Sequence, residues 1–126
     1  KVADPSRYAI VELDQNAQIL NLEEKPRSPK SDLAVTGLYF YPKDASQLAK
    51  TLDYSARNEL EITDLNNLYR EQNRLNLTSL GRGMTWFDVG TSESLLEASQ
   101  FVRLLEVRQG QKIAWPEEVA YRLGLI

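Results

Sequence analysis

The sequence of 126 residues contains neither cysteine nor histidine. Without cysteine the chain can form no disulfide framework. Without both residues it lacks the usual zinc ligands and the components of Ser-His and Cys-His nucleophilic devices. Any chemistry must therefore rest on carboxylates, lysine, arginine and backbone groups. No apolar run approaches the roughly 18 residues that span a bilayer, and the first residues lack a signal peptide's apolar region. We expect a cytoplasmic protein with no membrane partner.

An excess of positive charge is also missing. The 15 basic residues are scattered among 18 acidic ones and the formal net charge is -3, so no footprint for nucleic acid is present. A hydrophobic content of 42% with 26% charged residues is ordinary for a globular protein. The length suits one compact domain, and the sequence shows no internal repeat or interdomain linker.

Alternation of apolar and polar residues predicts an antiparallel hairpin from strands at 8–14 and 18–24 around a turn at 15–17. Pro26 and Pro29 mark a polar loop after it. Residues 33–41 are β-branched, aromatic and nearly continuous in their apolarity, which predicts a central strand covered on both faces. Further alternation predicts strands at 75–80 and 84–89.

Apolar residues at helical spacing predict four helices. They span residues 44–52, a segment beginning at Thr63 or Asp64, a long segment capped by Thr91 or Ser92 and closed by Gly110, and a segment from residue 116 to 124. The sequence therefore predicts an α/β fold.

Charged residues suited to a sugar phosphate occur at two places. Glu24 can accept hydrogen bonds from sugar hydroxyls and Lys25 can hold phosphate, although a solvated strand end is the simpler explanation of the pair from the residues alone. Arg57 can present a planar fork to phosphate oxygens, or it can pair with Glu59 or Glu61.

Asp88 ends an apolar segment, where a charge is costly unless it meets a cation or hydrogen-bond donors. Magnesium takes oxygen ligands, often one or two carboxylates together with substrate phosphates. Asp88 is therefore the candidate metal ligand. The competing interpretation is that its side chain helps to cap the helix that follows.

Four blocks of sequence, at residues 23–26, 35–41, 57–64 and 86–91, resemble in order the second half of the glucose-1-phosphate thymidylyltransferases, which are sugar nucleotidyltransferases. Members of that family carry a glycine-rich nucleotide-binding loop ahead of these blocks, and no residues here match it. The resemblance implies that residues 1–126 form the C-terminal, sugar-phosphate-binding portion of a Rossmann-like nucleotidyltransferase domain. A mixed β-sheet flanked by helices is then expected, with the N-terminal nucleotide-binding part absent.

The resemblance also assigns roles to residues. The catalytic set is implied to be Lys25 and Arg57, which contact phosphate, and Asp88, which binds Mg²⁺. Sugar binding is implied for Glu24, for the backbone of Val35 and for position 9. This chain departs from the family at three places, with Ala9 and Asn58 where glycine is usual and Val89 where threonine is usual.

A second nucleotide site for feedback inhibition is implied by the match of Arg82, Glu118, Val119 and Arg122. An ordinary surface of salt-bridged helix ends is the competing interpretation.

The reaction implied is the formation of dTDP-glucose and pyrophosphate from dTTP and glucose 1-phosphate, with Mg²⁺, for deoxysugar and polysaccharide synthesis. Family members are homotetramers, and we expect the isolated chain to be inactive. Two alternatives stay open at this point: a non-catalytic binding or assembly domain, and a related pyrophosphorylase that uses another sugar or base.

Overall fold

The computed structural model describes residues 1–126, which form two compact units, Lys1–Leu80 and Gly81–Ile126. The first unit contains a 3-10 turn at Pro5–Arg7, strands β1 (Ala9–Leu13) and β2 (Ile19–Glu24), and helices α1 (Ala45–Ala49) and α2 (Ile62–Glu71). The second unit contains helices α3 (Ser92–Gln109) and α4 (Pro116–Arg122). None of these helices is both long enough and apolar enough to cross a membrane.

The predicted hairpin is confirmed. Strands β1 and β2 pair antiparallel, with Ala9 opposite Glu24 at the open end. At the other end, Asp14 Oδ1 accepts hydrogen bonds from the backbone N–H groups of Asn16 and Gln18, both at 2.8 Å. Short side chains that bond to nearby backbone in this way stabilise tight turns. The hairpin therefore holds the start of the Glu24 loop in a fixed register.

The core of the first unit lies between the hairpin and α2. A side-chain amide reinforces this packing, because Asn67 Nδ2 donates to the backbone carbonyl of Leu22 at 3.0 Å. Burying one large apolar side chain contributes about 1.5–3 kcal/mol. The buried apolar residues are Ile10, Val11, Leu22, Leu65 and Tyr69.

Three stacked tyrosines connect the segment before α1 with α2. Tyr41 lies between Tyr39 and Tyr69, with ring centroids 5.8 Å and 5.6 Å apart. The hydroxyl of Tyr41 donates to Asn66 Oδ1 at 2.6 Å, and that of Tyr69 donates to Asp44 Oδ1 at 3.0 Å. Burial, with smaller contributions from the neighbouring tyrosines, raises the pKa of Tyr41 to about 12.

The prediction of a central strand at 33–41 is wrong for most of its length. Only Ala34 forms a β-bridge, opposite Ile10 of β1. Gly37 then adopts a φ of 80°, which breaks the extended run, and the side chain of Phe40 is 90% exposed. A strand needs a partner edge as well as an apolar composition, and this chain offers 33–41 only the short edge of β1.

The predicted strands at 75–80 and 84–89 are wrong for the same reason, since neither segment joins a ladder. The sheet of this chain is the two-stranded hairpin, so the mixed sheet implied by the resemblance is represented here by β1 and β2 alone.

All four predicted helices are confirmed, although α1 is shorter than expected and α2 begins one residue early. Helix α3 has a capping box in which Thr91 Oγ1 accepts from the Ser94 backbone N–H at 3.2 Å, and it ends at Gly110 with a φ of 67°. Helix α4 starts at Pro116 as predicted, and Gly124 follows its end with a φ of 69°.

Candidate functional site

The loop that follows β2 fixes the backbone of the Glu24-Lys25 pair. Lys25 has a φ of 43°, and its N–H donates to the carbonyl of Tyr8 at 3.1 Å. The next residue, Pro26, is buried. The side chain of Lys25 is exposed and makes no hydrogen bond or ion pair. The structure thus presents an exposed, unpaired ammonium group on the residue that follows Glu24.

A tight turn at residues 55–58 carries Arg57. The N–H of Asn58 donates to the carbonyl of Ser55 at 2.8 Å, and the N–H of Arg57 donates to Ser55 Oγ at 3.1 Å. Asn58 has a φ of 59°, a left-handed conformation that asparagine tolerates better than most residues. The substitution of asparagine for the family's glycine therefore preserves the turn.

Arg57 lies among three carboxylates. Its Nη2 atom contacts Glu59 Oε2 at 2.5 Å, and its Nη1 atom lies 3.5 Å from Glu24 Oε1 and 3.6 Å from Glu61 Oε1. The sequence predicts pairing with Glu59 or Glu61, and the structure shows both pairs together with a third, to Glu24. The sugar-binding candidate and the phosphate-binding candidate are thus brought into contact.

Two hydroxyl groups that sequence reasoning missed hold this cluster in place. Thr63 Oγ1 donates to Glu24 Oε2 at 2.6 Å, and Ser55 Oγ donates to Glu61 Oε1 at 2.8 Å. Thr63 is only 2% exposed. It lies on the buried face of α2 with Leu65 and Asn66, so the helical periodicity contains a signal that could have found it.

The remaining candidates for the sugar lie beside Glu24. Ala9 is paired with Glu24 in the hairpin, and its carbonyl accepts from the N–H of Val35 at 2.9 Å. Burial raises the pKa of Tyr39, and the negative charge of Glu24 raises it further. Ala9 thus connects the backbone at Glu24 with the backbone at Val35.

Asp88 belongs to the second unit. Its carboxylate is exposed and makes no hydrogen bond or ion pair, and the cap of α3 is Thr91. The competing interpretation of Asp88 as a helix cap is therefore wrong. No group of three or more acidic side chains in the chain gathers closely enough to hold a metal ion. Asp88 fits magnesium as a single oxygen ligand, and the residues present do not complete a site.

The residues suggested for a second nucleotide site also lie in the second unit. Glu118 and Arg122 form an ion pair one helical turn apart on α4, and Val119 is half-exposed between them. Arg82 lies in an exposed turn and has no hydrogen bond or ion pair to any of the three. The ion pair agrees with the interpretation of a salt-bridged helix surface.

Comparison with known proteins defines the class. Residues 1–104 match the family model of nucleotidyl transferases, and the chain belongs to that family. A glucose-1-phosphate thymidylyltransferase from Mycobacterium tuberculosis (strain H37Rv) is 53% identical over 125 residues, which are 99% of this chain and 43% of the relative. The corresponding protein from Neisseria gonorrhoeae is 52% identical over 124 residues, again 43% of its length.

The fold agrees with a solved relative. A crystal structure from Bacillus anthracis, described as a glucose-1-phosphate thymidylyltransferase in complex with sucrose, superposes with a TM-score of 0.70 at 42% identity. The match covers 81% of this chain and 40% of that one. The α/β nucleotidyltransferase fold is therefore confirmed, and this chain spans less than half the length of the relatives it matches.

Proposed function

We propose that this chain is the later, sugar-phosphate-binding portion of a glucose-1-phosphate thymidylyltransferase. In the reaction, an oxygen of the glucose 1-phosphate phosphate forms a bond to the α-phosphorus of dTTP. The bond from that phosphorus to the oxygen bridging the α- and β-phosphates breaks, and pyrophosphate leaves with the electron pair. The products are dTDP-glucose and pyrophosphate. Nucleotide binding and base selection belong to other parts of the complete domain.

The observation that carries this proposal is the contact between Glu24 and Arg57. A carboxylate that accepts from sugar hydroxyls lies 3.5 Å from a guanidinium that can donate two parallel hydrogen bonds to phosphate. A sugar phosphate carries hydroxyl groups for the carboxylate and a phosphate group for the guanidinium. Lys25, adjacent in sequence and unpaired, adds a second positive charge for the phosphate.

The backbone around Glu24 would complete the sugar site. The N–H of Val35 is already bonded to Ala9, so its carbonyl is the group that remains for a sugar hydroxyl. The methyl group of Ala9, where the family has glycine, narrows the approach to the same place. We propose that these two positions select among sugars.

Magnesium would be held in part by Asp88. The bound ion supplies charge neutralisation to the phosphate groups, which dominates catalysis of phosphoryl transfer. Asp88 would contribute one unpaired carboxylate to such an ion, and the remaining ligands would come from outside this chain. Lys25 and Arg57 then orient the attacking phosphate and balance its charge.

Feedback inhibition through Arg82, Glu118, Val119 and Arg122 is the proposal for the second unit. An anionic nucleotide there would have to compete with Glu118 for the guanidinium of Arg122, since the two are paired in the structure. A homotetrameric assembly, a cytoplasmic location and a role in deoxysugar synthesis stay predictions.

Isothermal titration of glucose 1-phosphate, with Mg²⁺, into the chain tests the proposal. A Lys25→Ala, Arg57→Ala double variant should lose the binding seen with the unsubstituted chain, because both phosphate-binding cations are removed. A matched control is Arg27→Ala, Lys43→Ala, which removes the same charge from exposed side chains that form no ion pair. Equal binding by all three proteins would contradict the proposed site and favour a non-catalytic binding domain.

A further inference from the structure

We propose that Glu59 is a placeholder for the substrate's phosphate: its carboxylate occupies the face of Arg57 that a phosphomonoester dianion takes over on binding. The inference rests on the proposed function, because it assumes that Arg57 binds phosphate. It adds to that function a residue that sets the affinity of the site for its sugar phosphate.

The three carboxylates around Arg57 are not equivalent. Glu24 also accepts from the buried Thr63 at 2.6 Å, and Glu61 also accepts from Ser55 at 2.8 Å. These hydroxyl donors hold the carboxylates of Glu24 and Glu61 in place even without the contact to Arg57. The side chain of Glu59 is bonded to Arg57 alone and is 57% exposed. Of the three carboxylates, Glu59 is therefore the one whose displacement from Arg57 breaks the fewest contacts.

The backbone allows Glu59 to leave without disturbing the turn. Its carbonyl accepts from the N–H of Ser55 at 2.9 Å, so the main chain stays anchored while the side chain rotates into water. The turn at 55–58 has further bonds of its own, including the bond from Asn58 to the Ser55 carbonyl. Arg57 is therefore held at a fixed position with one exchangeable partner.

The exchange favours a particular ligand class. A guanidinium has five N–H donors in a planar fork, and both carboxylate and phosphate fit one edge of it. A neutral sugar offers no charge to replace that of Glu59. A phosphomonoester has a second pKa of about 6 and carries almost two negative charges at neutral pH. It can therefore replace the carboxylate of Glu59 and bring a larger negative charge to Arg57. The exchange of one negative group for another on Arg57 thus favours a sugar phosphate over the free sugar.

A Glu59→Gln substitution tests the inference, because it removes the competing charge and keeps the shape. Titration of glucose 1-phosphate with Mg²⁺ into the variant chain should show about two- to fivefold tighter binding, the range expected from losing one exposed ion pair. The matched control is Glu71→Gln, which removes the same charge from a side chain that is 62% exposed and pairs with Arg70 at 3.6 Å. Its affinity should match that of the unsubstituted chain.

The outcomes separate this inference from the proposed function. If Glu59→Gln binds glucose 1-phosphate as tightly as the unsubstituted chain, or less tightly, the placeholder role of Glu59 is overturned. The proposed function still stands in that case if Arg57→Ala abolishes binding. Equal tightening by the Glu71→Gln control also overturns it, since the effect would then be one of net charge. Absence of binding by every protein overturns both proposals. Glu59→Ala serves as a second variant and must tighten binding as well, and thermal melts establish that each variant is folded.

Discussion

The hydrogen bond between Thr63 and Glu24 supports a quantitative stability prediction. Thr63 is 2% exposed, and its hydroxyl donates to Glu24 Oε2 at 2.6 Å. Thr63→Val removes the hydroxyl while keeping the volume and the β-branched shape, so no cavity is created. The variant isolates the loss of one buried donor to a carboxylate.

The expected loss follows from the surroundings of that carboxylate. A hydrogen bond to a charged group contributes about 1.5–3 kcal/mol. Glu24 keeps its contact with Arg57 at 3.5 Å, and its side chain is 22% exposed, so water can replace part of what is lost. We therefore expect Thr63→Val to lower the free energy of unfolding by about 1.5 kcal/mol, near the bottom of that range.

Thr63→Ser is the matched control, since it keeps the hydroxyl and removes one methyl group. Its expected cost is about 0.8 kcal/mol, the contribution of one buried carbon group. Urea denaturation at neutral pH, followed by far-ultraviolet circular dichroism, measures both variants against the unsubstituted chain. The reasoning is refuted if Thr63→Ser destabilises the chain as much as Thr63→Val, because packing would then outweigh the hydrogen bond.

Two further predictions concern Tyr41 and the cap of α3. Burial raises the pKa of Tyr41 to about 12, so this residue stabilises the fold fully below the ordinary tyrosine pKa of about 10 and loses that effect as the pH rises from about 10 to about 12. Between a pH below about 10 and a pH above about 12, the urea midpoint should fall by less in Tyr41→Phe than in the unsubstituted chain. An equal fall in both proteins would contradict the raised pKa of Tyr41. Thr91→Ala should lower the hydrogen-exchange protection of α3 amides by about fivefold, the equivalent of about 1 kcal/mol for a lost N-cap. Thr91→Ser should keep the protection, and a serine variant as weakly protected as the alanine variant would argue against the cap.

Local signals in the sequence predicted the hairpin and both ends of α3 correctly. The turn at 15–17, the cap at Thr91 and the glycine at 110 each act through bonds to residues a few positions away, so the sequence contains the information directly. The strand at 33–41 was predicted from its apolar, β-branched composition, and the strands at 75–80 and 84–89 were predicted from alternation. A strand depends on pairing with an edge that is distant in the sequence, which these local patterns do not reveal. Within the three segments, only Ala34 forms a β-bridge.

In the candidate site, too, features set by nearby residues differ from those that depend on residues distant in the sequence. The resemblance to the family assigned Glu24, Lys25 and Arg57 to a sugar-phosphate site, which stays a prediction, and the ion pairs of Arg57 with Glu59 and Glu61 were anticipated as the alternative. The bond from Thr63 to Glu24 joins residues 39 positions apart. No local pattern contains such a contact, because it exists only once α2 has packed against β2.

The charge around Arg57 also governs how an anion reaches it. Three carboxylates surround one guanidinium, so the cluster carries a net negative charge, which the nearby Lys25 in the sequence reduces but does not cancel. A phosphate group approaching from solvent meets repulsion first and attraction only at short range. Dissolved salt screens the long-range repulsion more than the close contact. Moderate ionic strength therefore speeds the arrival of a phosphate at this site, the reverse of its usual effect on binding at a basic pocket.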